Sequence, residues 1–76
     1  MKQFSILIRS FADVQAFVAL SSQQPFDVTV GDSQDISAKS LMAVLGLNFR
    51  HPLLVSANCD EAQYLSFRNA AARFLA

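Results

Sequence analysis

The chain has little with which to cross-link, loop or charge itself. Among its 76 residues there are one cysteine, two prolines, two glycines and no tryptophan. A lone cysteine, Cys59, excludes an intrachain disulfide framework. With no second cysteine and no histidine near it, Cys59 suggests neither a redox pair nor a zinc site. Two glycines, Gly31 and Gly46, cannot make a glycine-rich phosphate loop. Six basic and six acidic residues cancel to a net charge of zero, and no basic block runs along the chain. The electrostatic footprint needed to hold a phosphate backbone is therefore missing, and nucleic acid is not an expected partner. The first nine residues, Met1 to Arg9, hold only four or five apolar residues before a charge. That is too short for a signal-peptide core or a membrane span, so the expectation is a cytoplasmic protein with no membrane association.

What the chain does have is apolar weight. Hydrophobic residues make up 53% of it and seven are phenylalanine, too many for a disordered segment. A chain of this length buries roughly 60% of its unfolded surface, so residues 1–76 are expected to form one domain that uses most of them. Sparse proline and glycine fit regular elements joined by short connections.

The apolar pattern divides the chain. Phe4 to Ile8 is a short run with β-branched members and reads as a buried strand. Ser10 can cap a helix, with Asp13 in an approximate capping-box position. Phe11, Val14, Phe17 and Val18 give that helix one apolar face to about Ser22, and Pro25 closes it by disfavouring helical geometry at Gln24. Phe26, Val28 and Val30 alternate with Asp27 and Thr29, as in a half-exposed strand. Gly31 to Gln34 is turn material, and a brief strand at Asp35–Ile36 completes a hairpin. Ser37 can cap a second helix reaching about Asn48. Leu53 to Val55 reads as a buried strand. Asp60 starts a last helix, with Asp60 and Glu61 at its positive end and Arg68 and Arg73 further along. Tyr64, Phe67, Ala71 and Phe74 trace its apolar face, widened by Leu65, Ala72 and Leu75. The order β-α-β-β-α-β-α predicts an α+β open-faced two-layer sandwich: a four-stranded antiparallel sheet with three helices on one face.

The stretch Ile36-Ser37-Ala38-Lys39-Ser40-Leu41-Met42-Ala43-Val44-Leu45-Gly46-Leu47 resembles the second helix of HPr, the histidine-containing phosphocarrier of the bacterial phosphoenolpyruvate-dependent sugar phosphotransferase system. Val55-Ser56-Ala57 followed by Asp60-Glu61 is similar to that family's last strand and the start of its last helix. With small loop adjustments the resemblance spans essentially the whole chain. It implies the same open-faced sandwich and protein partners from the phosphotransferase or carbon-regulation systems; no cofactor or metal is expected. The departure is at the first helix. Family members carry Gly-x-His-Ala-Arg-Pro there, and its histidine accepts phosphate from enzyme I. This chain has Ile8-Arg9-Ser10-Phe11-Ala12-Asp13, with Ser10 near the histidine position. A phosphoserine ester is a far poorer phosphoryl donor than a phosphohistidine, and Asp13 would repel an incoming phosphoryl group. The resemblance thus implies a protein-binding or regulatory module of HPr type that is neither an enzyme nor a relay. A phosphocarrier with an atypical phosphorylation site, and a small metabolite-sensing or assembly domain, are the alternatives.

Within that resemblance Ser40 matches the family's regulatory serine, a candidate for phosphorylation whose place near a helix N-terminus favours added negative charge. It also serves simply as a first-turn serine. Leu41, Met42, Val44, Leu45 and Leu47 occupy an arc of about 220° at about 100° per residue, whereas packing on a sheet needs about 100°. Some of that surface must face solvent. The resemblance makes Leu41, Met42 and Leu45 the partner-binding residues; extra core contact or a homo-oligomer contact would use them equally well. His51 precedes Pro52 with no ligand cluster near it in sequence and reads as structural. Ser10, His51 and Asp13 are the types of a nucleophile, base and orienter, a trio that most short sequences contain.

Overall fold

The computed structural model describes residues 2–31 and 36–76. In chain order the elements are β1 (Lys2–Ile6), α1 (Phe11–Ser22), β2 (Val28–Gly31), β3 (Ile36–Ser37), α2 (Leu41–Leu45), β4 (Leu53–Ala57) and α3 (Glu61–Ala70), followed by a 3-10 turn at Ala72–Phe74. The strands form one antiparallel sheet in the order β1-β4-β2-β3. The chain is therefore an α+β open-faced sandwich with the predicted element order.

Register fixes which face is covered. Phe4 pairs with Val55, which pairs with Val30, and Ile6 pairs with Leu53. These side chains, with Val28 and Ala57, are buried under the helices. The alternate positions Gln3, Ser5 and Leu54 are exposed on the other face, where the Gln3 amide donates to Ser56 Oγ at 3.1 Å. The period of two in a strand thus leaves one face of the sheet to solvent.

The phenylalanines organise the core. Phe67 of α3 sits edge-on between Phe4 (5.6 Å between centroids) and Phe26 (5.8 Å). Phe17 of α1 meets Phe74 at 5.8 Å, also edge-on, the arrangement that ring quadrupoles favour. Asp60 caps α3 in a reciprocal box: its carboxylate accepts from Gln63 N at 2.7 Å while the Gln63 side chain accepts from Asp60 N at 3.1 Å.

Several boundaries differ from the sequence pattern, each for a structural reason. The first strand lies at Lys2–Ile6, and Ile8 beyond it is buried in the approach to α1. The second helix is five residues long and does not begin at Ser37: Ser37 pairs with Thr29 in the sheet, Ala38 N donates to Val28 O at 2.9 Å, and Ser40 is the N-cap. Gly46 then ends it, glycine being a poor helix former. The last helix stops at Ala70. The chain then turns so that Leu7 N donates to Phe74 O (2.7 Å), Leu75 bridges Ile6, and Ala76 N donates to Ser5 O (3.1 Å). The end of the chain thereby covers part of the free edge of β1, groups a continued helix would leave unpaired. Leu65 does not widen the apolar face of α3; it lies about 160° from Phe67 around the helix and is exposed, as is Ala72. The hairpin turn expected from Gly31 to Gln34 and the Asp35 start of β3 fall on residues 32–35, outside the described residues; Gly31 ends β2.

Candidate functional site at the ends of the first two helices

The start of α1 is held by a compact polar network. Ser10 has an extended backbone and its Oγ accepts from Asp13 N at 3.2 Å, satisfying a first-turn amide that has no helical partner. Asp13 Oδ2 accepts from Arg9 N at 3.1 Å, and Asp13 Oδ1 accepts from Arg73 Nη2 at 2.9 Å. Arg73 also lies over the Phe74 ring, 4.9 Å from its centroid, so a single guanidinium ties α1 to the C-terminal turn. The Ser10 hydroxyl is thus engaged as a cap, with a carboxylate beside it at the helix end.

Phe11 departs from the expected apolar face of α1: it is 56% exposed. It is the first residue of the helix, and Cα–Cβ bonds tilt toward the helix N-terminus, so its ring overhangs the end of the packed layer.

Short though it is, α2 divides its apolar residues sharply. Val44 is 1% exposed in the core, and Leu41 and Leu47 are partly buried against it. Met42 is 81% exposed and Leu45 is also exposed. Of the three residues expected to dock a partner, Met42 and Leu45 lie on the outer surface and Leu41 sits at its margin. Ser40 Oγ accepts from Ala43 N at 3.3 Å and caps the helix; the hydroxyl is half-buried.

Ser10 and Asp13 come together as a helix cap. His51 Nδ1 lies 3.1 Å from the carbonyl oxygen of Pro52. Burial, and then the charge of Asp60 beside it, push the Cys59 thiol above its ordinary pKa, the opposite of what an activated thiolate needs. Among the described residues no three of His, Cys, Asp and Glu gather to hold a metal ion, and no helix is long and apolar enough to cross a membrane.

Sequence reasoning missed a cavity of about 380 Å³ between the start of α1 and the loop after α2, lined by Ile8, Arg9, Ser10, Phe11, Val14, Phe49 and Arg50. Its parts are some forty residues apart in the chain, so only the fold assembles them. The available signal was Phe11 and Phe49, each next to an arginine or one residue from it. Compared with known proteins, the chain matches no family model and no curated sequence.

Proposed function

We propose that this chain is a protein-binding, regulatory module related to the HPr-like phosphocarriers of the sugar phosphotransferase system, docking partners through α2 without relaying phosphate. The observation that carries the docking reading is the exposure of Met42 on a helix whose opposite side holds Val44 in the core. An unbranched, polarisable side chain of this kind adapts to a partner's surface. Leu45 extends the same patch and Leu41 borders it. The open-faced sandwich with its β-α-β-β-α-β-α order agrees with what the resemblance implies. Against a relay stand Ser10 near the position of the family's histidine, the use of its hydroxyl as a cap, and the Asp13 carboxylate beside it.

Ser40 is a regulatory candidate on this reading. As N-cap of α2 it stands directly before the docking residues, and a phosphoryl group on it would place about two negative charges beside that patch.

Amide chemical shifts of labelled protein, followed while purified enzyme I or a carbon-regulation partner is added, test the proposal. Shifts clustered from Leu41 to Leu45, and weakened at least about tenfold by Met42→Glu, are the expected result. Shifts confined to other surfaces would overturn it.

A further inference from the structure

The cavity beside the start of α1 borders the capping network at Arg9 and Ser10 and shares no residue with the outer face of α2. Ile8 and Val14, both buried, give it apolar walls, and Phe11 and Phe49 extend them toward solvent. Arg9 and Arg50 come to the same space from different segments. The Arg50 guanidinium has no hydrogen-bonding or ionic partner among the described residues, its backbone N alone donating, to Asn48 Oδ1 at 3.0 Å. Arg9 Nη1 makes only two long bonds, to the carbonyls of Leu7 (3.4 Å) and Arg73 (3.5 Å). Among the described residues the one carboxylate engaged at this end of the helix, Asp13, is already held by Arg73 and by Arg9 N. Among those residues three guanidiniums therefore stand against one carboxylate, and two of them line the cavity.

We propose that this cavity binds a small carboxylate bearing an aromatic or branched aliphatic group. The apolar part would lie against Phe11, Phe49 and Val14, with the carboxylate on Arg9 and Arg50. At about 380 Å³ the space is at the small end of ligand sites, which run from about 300 to 1,000 Å³ and combine apolar walls with few polar groups. A guanidinium presents its donors in a planar fork that matches a carboxylate. The anion site is placed on the two arginines and does not rest on the helix N-terminus, where Ser10 Oγ already accepts from Asp13 N. Inorganic phosphate would meet the arginines but leave the apolar walls unfilled. The inference does not depend on docking at α2, and the two fail separately.

Phenylacetate is a suitable probe, titrated into the labelled 76-residue chain at low salt. Inorganic phosphate, the neutral analogue 2-phenylethanol and a short Glu-Phe-Glu peptide are run in parallel. The expected result is saturable shifts at residues 8–14 and 48–50, with a dissociation constant on the order of a millimolar. Arg50→Gln and the neutral analogue should each weaken binding about tenfold, the usual scale for losing a charge-assisted hydrogen bond. Circular dichroism verifies that the variant is folded. No saturation by about 30 mM, well above the weakest dissociation constant such a ligand should show, would overturn the proposal. So would equal binding of 2-phenylethanol or of phosphate. Binding of the peptide without phenylacetate would reassign the cavity to protein docking and equally overturn it.

Discussion

Ser21 is the clearest place to test how the core is built. It lies in the last turn of α1, 0% exposed, and its hydroxyl has no hydrogen-bond partner among the described residues. A buried donor left unsatisfied costs about 1–3 kcal/mol, because the water it gives up on folding is not replaced. Ser21→Ala removes that cost and gains a few tenths of a kcal/mol in helix propensity, less so near a helix end. Against this stands the void left by one oxygen, roughly 0.4 kcal/mol at about 24 cal/mol per Å³. The balance is a gain of about 1 kcal/mol. For a domain of this length the unfolding entropy converts that to a rise in Tm of about 6 °C. Thermal denaturation followed by circular dichroism measures it, with exposed Ser22→Ala as the control for propensity alone. A Tm that falls, or rises no more than in the Ser22 variant, would refute the reasoning: the hydroxyl would then be contributing to stability.

Four further outcomes follow from the packing and the capping network. Phe67→Ala removes a ring wedged between Phe4 and Phe26 and should cost about 3–5 kcal/mol, enough to leave much of so small a domain unfolded in a urea titration. Met42→Glu should change stability by less than about 0.5 kcal/mol, whereas Val44→Glu, two positions on, should abolish the cooperative melt. Ser10→Ala should cost about 1 kcal/mol through the loss of the α1 cap. Cys59 should react with iodoacetamide near pH 8 more slowly than a free thiol. With its folded pKa above the unfolded value, its contribution to stability should decline as pH rises past the unfolded thiol's pKa, because the unfolded chain ionises first.

Some of this structure was legible in the sequence and some could not be. The alternation of Val28 and Val30, and the apolar spacing of Val14, Phe17 and Val18, fix elements because local period alone determines which side is buried, whereas Phe26 is buried in the bend before β2 and not in the strand. The extent of α2 is not a local property: Ser37 and Ala38 are drawn into pairing with Thr29 and Val28, and a non-local sheet contact shortens a helix that periodicity would extend. The same holds at the C-terminus, where pairing of Leu75 and Ala76 with β1 overrides continuation of α3. At the candidate site, the 220° apolar arc expected of a longer second helix required some residues to be outside, and in the shorter α2 Met42 and Leu45 are. The exposure of Phe11 and its meeting with Phe49 depend on tertiary placement and had no periodic signal.

The most direct test of a docking module without relay chemistry is incubation with purified enzyme I and radiolabelled phosphoenolpyruvate. The expected result is no acid-labile label on this chain, with enzyme I itself labelled as the internal control. Stoichiometric, heat-labile labelling would contradict the account: a residue such as His51 would then carry the phosphoryl group, and the capped start of α1 would not mark a loss of relay.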